Sequence, residues 1–309
     1  MEFIFIMAIN EYRIWLLSYN VELLKEFGTM NESNKASYIT ILGNTFLTIL
    51  NIVFGVMSGS SSLTSEGINN ASDVVNSLVG AFAVKISSQP ATKEYPYKRE
   101  RIEPLIGLGF SLLLFYLAYT IFMDGYFKLI TGHISTVGVL AGVMAFLGIF
   151  INFYIMKLLM KTGKKNNSQI FASMGKEKFL DVLASIGVVI TVIASQLGFS
   201  ILDPILSFII AILVLKTAWD MLRDNYDSIM GKIPKNLESR IKKVVLYIHE
   251  VQDVSLIKIN NKGQHYGVAL DIQLDDSLRV DQLPDITKEV KEIIIKSIQF
   301  VDEVDVEVD

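Results

Sequence analysis

The feature that most constrains this chain is a series of six apolar stretches, at roughly residues 37–59, 62–87, 103–130, 134–160, 169–197 and 201–222. A hydrocarbon core of ~30 Å is crossed by about 20 helical residues. Within it every backbone polar group needs a partner, which leaves helices or a closed barrel as the spanning options. Six membrane-spanning α-helices are therefore expected. Beyond residue 224 the sequence becomes charged, so a water-facing tail follows the membrane part. The expected division is an N-terminal segment at 1–35, a six-helix domain at 36–226 and a globular domain at 227–309.

The connections fall into two kinds. Gly59-Ser60-Ser61 and Gly198-Phe199-Ser200 carry no charge, and the link from Asp124 to His133 carries little. The links after the second and fourth spans hold Lys93, Lys98, Arg99 and Arg101, and Lys157, Lys161, Lys164 and Lys165. Lys216, Arg223, Lys232 and Lys235 surround the exit from the sixth. Lys and Arg accumulate on the cytoplasmic side, which predicts a multi-pass protein of the cell membrane with both termini in the cytoplasm. The apolar patch Phe3–Ile9 lacks a basic lead and a small-residue cleavage site; it reads as a helix lying on the membrane surface.

Two spans are chemically unlike the others. The second contains Glu66, Asn69, Asn70, Asp73 and Asn76, and the fifth contains Lys176, Glu177, Lys178 and Asp181. An ionised side chain near the bilayer centre costs ~2.5–3.5 kcal/mol even on a lenient scale, unless it faces a partner or an ion. Asn69 and Asp73 are four residues apart, as are Glu177 and Asp181, so each pair lies on one helical face. The two helices run in opposite directions. Packed together, they would level Asp73 with Glu177 and Asn69 with Asp181, surrounding one cation with four oxygen donors. The plainer reading for Glu177 is a solvated salt bridge to its flanking lysines. Asn70 and Asn76 are expected to bond between helices, and Glu66 is either at the mouth of a pathway or merely interfacial.

Composition narrows the chemistry. There is no Cys, which excludes disulfides and thiolate sites. His133, His249 and His265 are the only histidines, and each is isolated enough to read as a surface residue. A net charge of -4 gives no reason to expect nucleic acid. No GK[ST] loop, HExxH or GxSxG motif suggests an enzyme. Gly43, Gly55, Gly80, Gly107 and Gly109 would permit close helix approach.

The stretch Leu63-Thr64-Ser65-Glu66-Gly67-Ile68-Asn69-Asn70-Ala71-Ser72-Asp73 resembles the second-helix signature of the cation diffusion facilitator family. Phe179-Leu180-Asp181-Val182-Leu183-Ala184-Ser185 resembles its fifth-helix signature. Gln89-Pro90-Ala91, Pro96-Tyr97, Glu103 and Leu202-Asp203-Pro204 fit further landmarks. The resemblance runs from about residue 36 to the end. It implies proton-coupled efflux of a divalent metal by a homodimer, with Asn69, Asp73, Glu177 and Asp181 as the metal site.

The departures from the family pattern bear on the ion. Zinc members generally place His with Asp on each of the two helices, whereas Asn69 and Glu177 leave no nitrogen or sulfur donor here. The loop Glu94–Arg101, where the family carries histidine, has none. Carboxylate, amide and water oxygens suit Mn, Mg and Ca, and the pattern resembles the manganese-exporting branch. Mn2+ is the expected cargo, followed by Fe2+, then Zn2+ or Co2+, with protons as counter-ion because metal and proton compete for the same oxygens. The rivals are a zinc or broad-range exporter and a non-transporting sensor or scaffold whose bundle is only an anchor.

In the tail, Leu237–Ile248 and Ile286–Ile298 read as helices, and 254–259, 266–274 and 301–308 alternate as strands. An αββαβ order with antiparallel strands fits a ferredoxin-like sheet and resembles the family's cytoplasmic domain. Where zinc members carry histidine, Ser255, Asp271, Glu307 and Asp309 stand. They are either a regulatory hard-ion site or the polar face of the strands.

Overall fold

The computed structural model describes residues 31–58, 61–131, 138–199, 201–275 and 278–308. The surface helix expected at Phe3–Ile9 and His133 lie outside the described residues. Among the described residues six long helices form the membrane domain: α1 Glu32–Ser58, α2 Ser61–Ser87, α3 Ile102–Thr131, α4 Val139–Asn166, α5 Gln169–Gln196 and α6 Leu202–Ile229. Five are long and apolar enough to cross a membrane; α2 is not among them. Its polar residues Glu66, Asn69, Asn70, Asp73 and Asn76 lower its hydropathy, so the helix that carries the expected site is the one whose span apolarity does not establish.

Helices α4 and α6 run well past their expected apolar ends, to Asn166 and Ile229. Apolarity marks where lipid stops, not where the backbone stops coiling. The end of α4 is set instead by Asn167, whose left-handed φ of 50° turns its N–H back to the Gly163 carbonyl.

The helices pack mainly as three pairs, α1 with α2, α3 with α6 and α4 with α5. Phe110, Leu114 and Ala118 of α3 meet Val214, Ala218 and Met221 of α6 in one buried core with Ile155, Leu159, Ile170, Phe171 and Met174 of α4 and α5. The outward faces remain apolar and exposed, with Leu112, Tyr116, Phe150 and Ile212 among them, as lipid-facing surfaces are. Gly55 sits at the α1–α2 crossing, where a Cβ would lie 2.7 Å from the Thr64 backbone nitrogen. Gly43, Gly80 and Gly107 are also close to neighbouring side chains, but Gly109 has none within 4 Å and makes no close approach.

The C-terminal domain comprises α7 Leu237–Val245, β1 Val251–Asn261, β2 Tyr266–Leu274, α8 Leu283–Ser297 and β3 Val301–Val308. Leu237, Ile241 and Val245 of α7 and Ile286, Val290 and Ile294 of α8 recur every fourth residue. That spacing puts them on one helical face, against Val268, Leu270 and Ile272 of β2. The sheet order is β1-β2-β3. β1 and β2 are antiparallel as expected, but β3 is parallel to β2. The correction follows from connectivity: α8 crosses over between β2 and β3, and such a crossover returns the chain in the same direction.

Candidate metal site in the membrane domain

α2 and α5 belong to different helix pairs, and their backbones contact each other only lightly. Besides the apolar contact of Gly80 with Met174, polar side chains make the connection. Asp73 of α2 is buried, and its Oδ2 lies 2.7 Å from Lys178 Nζ of α5. The same ammonium lies 2.6 Å from Oδ2 of Asp181, one turn further along α5. Asp73 and Asp181 are thus brought together through Lys178, which is itself buried. Asp73 is also fixed through its backbone: its carbonyl accepts from Ser77 Oγ at 2.6 Å and from the Nδ2 of Asn44, on α1, at 3.3 Å.

Glu177 is held differently from the expected register. It accepts from Asn76 Nδ2 at 3.0 Å, close to one turn beyond Asp73. Neither flanking lysine pairs with it, since Lys178 is committed to the aspartates and Lys176 bonds Asp224 of α6 at 2.6 Å. Asn76 therefore does bond between helices, as its position suggested. Asn70 is buried and lines a small, partly open cavity of about 60 Å³ together with Asn51, Glu66, Asn152 and Ser185.

A larger cavity of about 370 Å³ opens toward the end of the bundle away from the C-terminal domain. Asn69 and Asp181 line its inner part with Glu66. Near its mouth, Lys128 bridges Asp124 and Asp203 at 2.7 and 2.9 Å. Asp73, Lys178 and Glu177 do not line it. Glu66 touches both cavities, which favours the pathway reading over a merely interfacial one.

Two features escaped sequence reasoning. Lys178 stands three residues before Asp181, a spacing that puts both on one helical face, but its place beside Glu177 in the sequence points only to that neighbour. Glu103 is fully buried and accepts from Ser87 of α2 at 2.7 Å, Ser168 before α5 at 2.5 Å and Gln264 of the C-terminal domain at 2.5 Å. It ties three parts of the chain together.

The loop before α3 continues that junction. The buried Glu100 meets His265 Nδ1 at 2.8 Å, and Lys98 Nζ meets Glu100 at 3.4 Å and Asp302 at 3.1 Å. Burial pushes the Glu100 carboxyl up, but the His265 hydrogen bond and charge, with Lys98, more than offset it and hold it below its ordinary 4.5. Glu100, His265 and Asp302 cluster closely enough to share one ion, but Lys98 and Lys262 already pair with the acids. His265 is thus a junction residue rather than a surface one, while His249 is exposed. In the sheet, Asp271 and Glu307 are register partners on β2 and β3; Asp309 lies outside the described residues.

A membrane bundle with carboxylates buried between two of its helices, joined to a small α+β domain, defines a class of ion-translocating membrane protein. The chain belongs to the cation efflux family. Its transmembrane-domain model matches residues 37–230, and the model of the cation efflux protein cytoplasmic domain matches residues 233–309. The family resembled by the two helix signatures is thereby shown, and the protein is a divalent metal cation efflux transporter. It is 30% identical over 263 residues to an uncharacterized transporter of Methanocaldococcus jannaschii, covering 85% of this chain and 93% of the relative. It is 25% identical over 280 residues to the manganese efflux system protein MneP of Bacillus subtilis, covering 88% and 94%. The metal cation efflux system protein CzcD of Cupriavidus metallidurans is 28% identical over 208 residues, covering 66% and 64%.

Proposed function

We propose that this transporter exports Mn2+ in exchange for protons, working as a homodimer in the cell membrane with both termini and the α+β domain in the cytoplasm. The observation that carries the ion choice is the donor set. Asp73 and Asp181 meet at one buried point, Asn69 shares a cavity with Asp181, and Glu177 adjoins through Asn76. Every candidate ligand offers oxygen, and α1 to α6 contain no histidine or cysteine. Oxygen donors favour Mn2+ over Zn2+, which prefers imidazole and thiolate. The similarity to a manganese efflux protein points the same way.

In the proposed cycle Mn2+ sheds water, displaces protons from the carboxylates and takes their oxygens. Asn69 supplies a neutral carbonyl oxygen, which adds a ligand without adding charge. The bundle then exposes the site to the opposite side, where protons displace the metal. In the C-terminal domain, Asp271 and Glu307 with Asp309 form a candidate regulatory hard-ion site, supported by the strand register alone.

Purified protein in proteoliposomes, given Mn2+, Fe2+, Co2+ and Zn2+ in turn, tests the ion. Mn2+ flux should exceed the others and should move protons in the opposite direction. Flux of Zn2+ without Mn2+ would replace this reading with that of a zinc exporter.

A further inference from the structure

Lys178 is the unexplained group of the membrane domain. Its side chain is about as buried as any charged one in the bundle, at 3% exposed. It makes two charge-assisted bonds, of 2.7 and 2.6 Å, to carboxylates on two different helices. Those contacts occupy one carboxylate oxygen on each helix, Oδ2 of Asp73 and Oδ2 of Asp181. The cavity that reaches Asp181 and Asn69 does not reach Asp73.

We propose that Lys178 is a tethered occupant of the metal site, whose ammonium stands where the transported cation binds and must be displaced by it. The inference rests on the reading of Asp73 and Asp181 as metal ligands. A resident cation has a physical purpose there. Two bare carboxylates in a low-dielectric bundle are costly, and a carrier must return without its cargo. Lys178 compensates one of the two charges on that return, leaving the other to the exchanged proton, and, being anchored to α5, is never itself exported.

The second consequence concerns affinity. A site that is open only a fraction of the time binds with its intrinsic affinity reduced by that fraction. If Lys178 holds the aspartates for all but about one part in 10 to 100, it weakens Mn2+ binding by about the same factor. It also hastens release, because the competing cation is already attached beside the site. Lys178 is in these terms a positioning residue that raises KM and turnover together.

The test is Mn2+ titration calorimetry on the full chain in lipid nanodiscs, with flux measured in parallel, for the unmodified protein and for Lys178→Gln, Lys178→Arg, Asp73→Asn and Asp181→Asn. Lys178→Gln should bind Mn2+ about 10-fold or more tighter and turn over more slowly. Lys178→Arg, which keeps a cation with more donors, should bind no tighter than the unmodified protein. A gain in affinity is not what a damaged fold produces. Unchanged or weaker binding by a folded Lys178→Gln, while both Asp→Asn variants lose binding, overturns the role of Lys178 and leaves the metal site intact. Normal Mn2+ binding by Asp73→Asn and Asp181→Asn overturns the site, and this inference with it. Should the Gln variant fail to fold, the Arg variant decides: tighter binding than the unmodified protein overturns the proposal, and equal or weaker binding supports it.

Discussion

Asn76 on α2 donates its amide to Glu177 on α5 across 3.0 Å, so a neutral group rather than a lysine positions this carboxylate. A hydrogen bond to a charged group is worth about 1.5–3 kcal/mol. Asn76→Ala should therefore raise the KM for Mn2+ about tenfold or more. Asn76→Asp, which opposes Glu177 with a like charge, should do worse. Flux measured over graded Mn2+ checks this, and an unchanged KM in both variants would remove Glu177 from the site.

Glu103 gathers Ser87, Ser168 and Gln264. Glu103→Ala leaves those groups without their acceptor in a buried place, at a cost of about 1–3 kcal/mol for each group that water does not rescue. The expected result is a lower melting temperature and faster proteolysis between residues 230 and 237, where the two domains join. Glu103→Gln keeps one acceptor oxygen and should fall between. A melting curve and digestion pattern identical to the unmodified protein would contradict this.

The Glu100–His265 contact predicts an acid-sensitive junction. Because the folded carboxyl lies below its ordinary 4.5, its stabilising effect is complete above that value and is lost as pH falls through the lower folded value. Asp302, held below 3.8 by Lys262 and Lys98 against the upward pull of burial, behaves in the same sense. The unmodified chain should thus lose more melting temperature between about pH 5 and about pH 2 than Glu100→Gln does. Equal losses would show that the contact contributes nothing.

Gly55 has Thr64 backbone where its own Cβ would stand. Gly55→Val should separate α1 from α2 and displace the Asn44 contact to Asp73, lowering both stability and flux. Gly109→Ala, with open space around it, should be neutral within about 0.5 kcal/mol. Thermal melts of the two variants compare them directly, and an equally harmless Gly55→Val would refute the tight crossing.

The bundle was legible in the sequence because lipid imposes one rule on every residue of a span. Each helix fell within a few residues of its expected place, except where α4 and α6 outran the membrane. Asp73 and Asp181 were legible for the same reason, since an acid in an apolar run needs a partner. Their partner was not. Periodicity places Lys178 and Asp181 on one face, but which carboxylate on a facing helix a lysine reaches depends on rotation and register between helices. Those are set by packing, as at Gly55, and not by spacing along one segment. The parallel β3 was missed similarly, because alternation specifies a strand but not its direction.

The most direct test of the central claim is Mn2+ flux by proteoliposomes containing Asp73→Asn or Asp181→Asn, each verified as folded by its melting curve. Both substitutions keep the shape and remove the charge that binds the ion. Flux should fall by at least 100-fold in each, consistent with losing about 3 kcal/mol or more of charge interaction with the cation. Folded variants that carry Mn2+ at the unmodified rate would contradict the account.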